Sequence, residues 1–373
     1  MKIAIFTDSF LPTIGGTENA VNRLATALSD EHEVMVLAPD GHSNFPDNSL
    51  PFKVSRAKSI KVTANDFWAH PSLSKNMKKR LEEFKPDIVH SHTVGMMTAY
   101  ANKYAKKHKI PSVVTVHTKF RYCYKDALKL SFFAEILLGF VMRRVKKADR
   151  VCTVSNMMIP ELNSYGIKKP VTVIRNGNDA VLPVLDKKTA SGKFNILFVG
   201  RIIEYKNIKY SLDILSLVKK VRSDFIFTLV GRGPHVKRFK KYAEKVGLKD
   251  NVEFIGAVTD KQKLKSLYRN ADLFLFTSLF DSDGMVVLES AEQGTPSLVL
   301  EDMAMAERIT DDKTGFIAKH DLNDASNRIL SLMDNREKLI EVGKNAHEIF
   351  KPWTETAKEY VSVYEQEINL KRQ

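Results

Sequence analysis

The sequence predicts an α/β protein made of two doubly wound domains in tandem. Three observations lead there. Short β-branched and aromatic runs alternate with helical stretches along the whole chain, the pattern of parallel strands covered by helices. The alternation breaks off in a polar segment, residues 183–193, PVLDKKTASGK, and then restarts. A chain of 373 residues, at roughly 100–200 residues per domain, has room for two cores.

In the first half, KIAIFT (2–7), EVMVLA (33–38), DIVHSH (87–92), SVVTVH (112–117), RVCTVS (150–155) and VTVIR (171–175) read as strands. Apolar spacing predicts helices over 17–29, 72–84, 95–107, 126–147 and 156–165. In the second half, NILFVG (195–200), FIFTLVG (225–231), VEFIG (252–256), LFLFTS (273–278), SLVLE (297–301) and GFIAK (315–319) read as strands. Helices are expected over 207–222, 234–246, 260–269, 285–293 and 321–347. The domains are therefore placed at 1–182 and 193–350. A last helix near 353–370 carries Trp353, Tyr360, Val361, Tyr364 and Ile368 at helical spacing. That stripe is core, and 351–373 is expected to pack back on the first domain. No repeat of fixed period is present, which excludes a solenoid.

Composition narrows the function. Cys123 and Cys152 are the only cysteines, too few for a disulfide framework, and read as buried thiols. The apolar run at the N-terminus ends at Asp8, too short for a signal peptide. No apolar stretch reaches the roughly 18 residues of a membrane helix, so a cytoplasmic location is expected. The formal charge is +14, and residues 1–180 carry +11 of it. Such a field attracts nucleic acid, phosphorylated substrates or an anionic membrane surface.

Open doubly wound sheets bind ligands beyond the carboxyl ends of their strands. The first such loop runs from Asp8 to Glu18 and contains Gly15 and Gly16 at a helix start, where backbone amides can approach an anion. The second is Gly200-Arg201 with Lys206-Asn207, a guanidinium fork and a point charge that suit a pyrophosphate. The third is Gly231-Arg232-Gly233-Pro234, read first as a structural turn with Pro234 at the first helical position and second as a nucleotide contact. The fourth runs from Asp281 through Ser282, Asp283, Gly284, Met285 and Val286 to Glu289. There a helix start faces the ligand side; one carboxylate suits sugar hydroxyls and the other a ribose diol. Asp281 is also readable as an N-cap, and Glu289 as part of a solvated face. The fifth is His117, at the end of one strand, with His90 and His92 at the end of the preceding one. These two alternate along their strand, so only one is expected to face inward. No three-ligand metal spacing is present.

Taken in order, these segments resemble the retaining glycosyltransferases of the GT-B fold, in the large fourth family. The resemblance covers nearly the whole chain and also includes His117-Thr118, Thr153-Val154-Ser155 and Arg175-Asn176-Gly177-Asn178-Asp179. It implies two Rossmann-like domains facing across a cleft, the second binding the donor nucleotide. It implies that Arg201 and Lys206 hold the diphosphate, Glu289 the ribose, Asp281 the sugar hydroxyls, and the amides of Gly284 to Val286 assist. His117 would contact the hexose, and Gly16 would approach the diphosphate. No cofactor beyond the nucleotide-sugar donor, a UDP-hexose, and no metal would be required. The family's usual glutamate is replaced by Asp281, one methylene shorter, with Asp283 able to share its role. Arg232 stands where an acidic residue is commoner.

Residues 119–150 hold nine Lys/Arg against three Asp/Glu around an apolar middle. Lys119, Arg121, Tyr122, Arg143 and Arg144, with His92, are assigned to the acceptor or membrane side. The mixture suits a helix lying in an anionic membrane interface, and suits a buried crossover helix with a basic end equally. The expected partners are a nucleotide sugar, a lipid, lipid-linked or glycan acceptor, and a peripheral membrane. A sugar-nucleotide epimerase of similar fold is the alternative enzyme. A basic nucleic-acid binder is disfavoured, because no nucleic-acid module is recognisable. A nicotinamide dehydrogenase is disfavoured because no G-x-G-x-x-G follows the first strand.

Overall fold

The computed structural model describes residues 1–13, 15–41, 45–61, 67–122, 124, 131–178 and 192–373. Cys123, the first residues of the helix expected at 126–147, and residues 183–191 of the linker lie outside the described residues. The chain divides into two compact units, residues 1–179 with 351–373, and residues 180–350.

The first unit is built on β1 (Lys2–Phe6), α1 (Gly16–Ser29), β2 (Glu33–Pro39), β3 (Lys53–Ala57), the hairpin β4 (Ser59–Lys61) and β5 (Phe67–Ala69), α2 (Lys75–Phe84), β6 (Ile88–Ser91), α3 (Met96–His108), β7 (Ser112–Val116), α4 (Ser131–Lys147), β8 (Arg150–Thr153), α5 (Met158–Ser164) and β9 (Val171–Val173). Its main sheet is parallel, in the order β3-β2-β1-β6-β7-β8-β9. Both faces are covered, so the strands read as continuous apolar runs rather than alternating ones. Ile3 and Ile5 enter one core and Ala4 and Phe6 the other. The strand β3, KVSRA, carries no apolar run for a sequence reading to find; it is an edge strand held by the pairing of Arg56 to Asp47.

The second unit contains β10 (Phe194–Val199), α6 (Ile208–Val221), β11 (Phe225–Val230), α7 (Val236–Lys245), β12 (Val252–Gly256), α8 (Lys261–Asn270), β13 (Leu273–Leu275), α9 (Met285–Glu292), β14 (Ser297–Leu300), β15 (Phe316–Ala318), α10 (Leu322–Asp334) and α11 (Arg336–Asn345). Its parallel sheet has the order β12-β11-β10-β13-β14-β15, a doubly wound arrangement that reverses between β10 and β13. The single helix expected over 321–347 is two. Asn335 leaves helical geometry (φ −127°, ψ 73°), and its side chain accepts from the Lys338 amide, starting α11. An asparagine that caps offers the backbone an alternative to continuing the helix.

The last helix, α12 (Trp353–Arg372), belongs to the first unit. Trp353, Tyr360 and Tyr364 are buried in one core with Val21, Leu24 and Leu28 of α1. Burying each large side chain contributes roughly 1.5–3 kcal/mol. The returning chain is seated on the segment Arg175–Asn178. A Cβ at Gly177 would lie 2.8 Å from Trp353 Cα, and Thr356 Oγ1 donates to the Arg175 carbonyl at 3.1 Å. That segment thus has a structural task in the fold.

Candidate active site

In the second unit, the loops after β10 and β13 meet where the strand order reverses. They are stitched together: Ser211 and Thr277 share a hydroxyl hydrogen bond of 2.7 Å, and Thr277 Oγ1 donates to the Asn207 carbonyl at 3.2 Å. Lys206 then reaches Asp281, with Nζ 2.6 Å from both carboxylate oxygens, and lies 5.4 Å from the centre of the Phe276 ring. Arg201 is exposed and donates to Tyr205 Oη at 3.4 Å.

The start of α9 follows directly. Gly284 is its N-cap with φ 58° and ψ 58°, and among the described residues no side chain caps it. Asp281 is therefore not the cap. The left-handed backbone of Gly284 favours glycine, and a Cβ there would fall 1.6 Å from Met305 Sδ, so the methionine side chain would have to move. An uncapped helix start presents amides and a positive dipole end; here these belong to Met285 and Val286, beside the half-buried Ser282. Asp283 is buried and pairs with Arg308, whose Nε and Nη2 approach Oδ1 at 3.0 and 2.5 Å. It fixes the loop, whereas Asp281 lies on the side of Lys206. Glu289 accepts from Tyr268 Oη at 2.9 Å. Burial raises its carboxyl above the ordinary value, and the Tyr268 bond opposes that. It is not a fully solvated helix face.

Gly231 and Gly233 are explained by close approach of backbone. A Cβ on Gly231 would meet the Gly200 carbonyl at 1.8 Å, and one on Gly233 the Ile202 carbonyl at 2.1 Å. Arg232 is exposed on that turn. Sequence reasoning missed Arg308, Tyr268 and Tyr205. Arg308 and Tyr268 act through contacts between elements that no local spacing marks, whereas Tyr205 meets Arg201 within one loop.

In the first unit, Asp8 leaves β1 and grips the start of α3. It accepts from the Gly95 amide at 2.8 Å, the Met97 amide at 2.9 Å and Thr93 Oγ1 at 2.5 Å. Gly15 is the N-cap of α1 and Gly16 its first residue, again with no side-chain cap among the described residues. Among the described residues, a Cβ on Gly16 would meet nothing within 4 Å. A cavity of about 560 Å³ opens here, lined among others by Asp8, Glu18, His92, His117, Phe140 and Arg144.

His117 Nε2 lies 2.9 Å from His92 Nδ1. His90 and His92 are both buried, their rings 4.0 Å apart. The expectation that only one faces inward is corrected: residues two apart on a strand share a face. His90 is held by Tyr364 Oη at 2.6 Å and Thr115 Oγ1 at 2.8 Å. Burial holds His90 and His92 well below the ordinary histidine value, and pushes His117 down to about 4. Burial therefore keeps all three rings neutral near pH 7.

The helix α4 is both core and surface. Leu138, Met142 and Val145 are buried, whereas Phe132 is 71% exposed, Phe133 57%, Ile136 53% and Phe140 54%. Arg143, Lys146 and Lys147 are exposed at its end. Arg144 instead donates to the Val94 carbonyl at 3.0 Å. Arg121 pairs with Glu135 at 2.8 Å, and Lys119 is half-buried beside the exposed Tyr122. Among the described residues, no helix is long and apolar enough to cross a membrane. Among the same residues, no group of three or more His, Cys, Asp or Glu is placed to hold a metal ion.

Known proteins share this organisation. Residues 14–181 match the model of Glycosyltransferase Family 4, and residues 185–349 that of Glycosyl transferases group 1. The alpha-monoglucosyldiacylglycerol synthase of Streptococcus pneumoniae is 24% identical over 94% of this chain and 85% of its own length. HepE of Anabaena, solved with UDP, superposes with a TM-score of 0.75 at 18% identity, covering 98% of this chain and all of that one. Sucrose-phosphate synthase of Thermosynechococcus elongatus superposes at 0.77, with 18% identity and 98% of each chain covered. With the GT-B fold of two Rossmann-like halves and one family model on each half, the chain belongs to glycosyltransferase family 4.

Proposed function

We propose that the protein is a retaining, metal-independent hexosyltransferase that uses a nucleotide sugar, UDP-hexose, and an acceptor that is a membrane lipid, lipid-linked glycan or cell-surface polysaccharide. One arrangement supports this most: Lys206, its partner Asp281, the nearby Arg201 and the uncapped start of α9 stand together where the second sheet reverses its strand order. Negative charge grows on the diphosphate as the glycosidic bond breaks. Two cations and preorganised amides stabilise that charge without reorganising. Asp281 orients Lys206 and accepts from sugar hydroxyls. Glu289, steadied by Tyr268, accepts from the ribose diol.

The acceptor oxygen bonds to the anomeric carbon on the face the diphosphate leaves. The carbon–oxygen bond to phosphate breaks, and the acceptor's proton passes to the departing phosphate oxygen. No protein nucleophile is needed. HepE was solved with UDP, which favours a uridine donor. A lipid acceptor is favoured by the name of the streptococcal relative and by the exposed apolar face of α4 with its basic end. On this reading the protein works peripherally on the inner face of the cell membrane.

Thermal unfolding with UDP, GDP, UDP-glucose and GDP-mannose tests the donor, because a ligand that binds only the folded state raises the midpoint. A uridine nucleotide is expected to give the largest shift, and Arg201→Ala to abolish it. No shift with any of the four overturns the proposal. Transfer of labelled hexose into a lipid extract tests the acceptor class.

A further inference from the structure

The histidines of the first unit form an ordered series. His90 is pinned between Tyr364 Oη and Thr115 Oγ1, and Thr115 Oγ1 in turn lies 3.1 Å from Tyr360 Oη. The His92 ring packs on His90 and approaches His117 through Nδ1. The other nitrogen of His92, Nε2, is buried and makes no hydrogen bond among the described residues.

A neutral imidazole has one N–H and one lone pair. If the His92 proton sat on Nε2, a buried donor would have no acceptor. If it sits on Nδ1, only a lone pair is left over. Orphaned buried N–H groups are rare, so the Nδ1 proton is the consistent assignment. His92 then donates to His117 Nε2, and the neutral His117 must carry its own proton on Nδ1. An exposed histidine ordinarily prefers the proton on Nε2, so the fold inverts that preference.

We propose that His92 is a positioning residue that fixes His117 as its Nδ1–H tautomer and occupies its Nε2 lone pair, so that His117 cannot take a proton from the substrate. This rests on the sugar-transfer reading only for the identity of the substrate proton; the tautomer itself does not. With that lone pair occupied, His117 is unsuited to take the acceptor's proton. The strap helix α12 contributes through Tyr360 and Tyr364, which hold His90 beneath His92.

The test is ¹⁵N-histidine NMR of the full chain at pH 7.5, with transfer kinetics in parallel. His117 is expected to show a protonated Nδ1 and an unprotonated Nε2. His92→Phe removes the donor, and should move the His117 proton to Nε2. It should also lower kcat by about tenfold, the effect of one lost hydrogen bond, with the donor KM little changed. His92→Asn keeps an amide donor near the Nδ1 position and should restore both tautomer and most of kcat. A His117 proton on Nε2 in the unaltered protein overturns the proposal, as does an unchanged tautomer in His92→Phe. If His92→Phe does not fold, the unaltered spectrum and His92→Asn still decide. Failure to transfer any sugar strikes the activity and leaves the tautomer measurement standing.

Discussion

Lys206 and Asp281 are 75 residues apart, yet the lysine ammonium lies 2.6 Å from both oxygens of the carboxylate. They meet because β10 and β13 are neighbours in the sheet. The lysine side chain is only 14% exposed, so its charge is partly desolvated and needs a partner. An ammonium has three donors. With a carboxylate on one side, it can still offer a proton to a phosphate oxygen, and the aspartate keeps it aimed.

Removing either member should therefore reduce transfer. Lys206→Ala is expected to lower kcat/KM for the nucleotide sugar by about 10²–10³-fold, the usual cost of losing a preorganised donor at a developing anion. Asp281→Asn should cost less, because the lysine stays while its aim is loosened. Initial rates across donor concentration separate the two. Full activity in both variants would place the diphosphate elsewhere.

The pair Asp283–Arg308 predicts a loss of stability. Both side chains are nearly inaccessible, at 6% and 4% exposure. Leaving one buried charge without its partner costs about 3–5 kcal/mol, whereas replacing both by neutral groups costs far less. Arg308→Met should lower the unfolding midpoint sharply, and Asp283→Asn with Arg308→Met should recover much of it. Calorimetry on the three chains reads the difference.

Glu289 predicts an opposition between stability and binding. Its carboxyl is raised by burial, so the folded state holds the proton more tightly than the unfolded chain. Its ionised form therefore destabilises the fold at neutral pH, and stability is lost as pH rises through the folded value. Glu289→Gln should raise the midpoint at pH 7.5 and weaken nucleotide binding together. The stability gain should shrink as pH falls toward the ordinary carboxylate range. Tighter nucleotide binding by this variant would remove Glu289 from the ribose.

The histidines act in the opposite direction along the pH scale. His117 is pushed from 6.5 to about 4, and His90 and His92 are also lowered by burial. The unfolded chain takes up these protons first. Their contribution is complete above pH 6.5 and is lost as pH falls toward about 4. The unfolding midpoint should drop between pH 7.5 and 5, and drop less in His117→Gln. Equal losses in both chains would show that His117 does not titrate this way.

Both sheets were legible because their central strands are buried on two faces and read as unbroken apolar runs. Edge strand β3 and the short hairpin β4–β5 were not, since β3 mixes Lys53, Ser55 and Arg56 with its two apolar residues and β4 and β5 are only three residues each. The break at Asn335 was missed because both flanking segments keep the helical period. Among the candidate site residues, Lys206, Asp281 and Gly284 are readable from their places after strands. Arg308 and Tyr268 are not, because each is defined by the residue it touches, Asp283 and Glu289, and those partners arrive through tertiary packing. The histidine pair was half read. Its position was clear, but its shared face was misassigned.

The exposed face of α4 gives the last prediction. Phe132, Phe133, Ile136 and Phe140 each leave more than half of their surface in water, although the same helix buries Leu138 and Met142. Clustered apolar exposure of this kind marks an interaction surface, and the basic residues Arg143, Lys146 and Lys147 follow on the same helix. Apolar insertion and attraction to anionic lipid should then contribute separately. Phe133→Ser with Ile136→Ser should abolish flotation with vesicles of any charge, while the unfolding midpoint holds, because neither side chain is core. Arg143→Gln with Lys146→Gln and Lys147→Gln should weaken binding to vesicles rich in phosphatidylglycerol. It should leave neutral vesicles unaffected, and added salt should mimic it, since each cation near an anionic surface contributes about 1 kcal/mol and is screened within a Debye length. Equal flotation of all three chains would mean that this face does not meet the membrane.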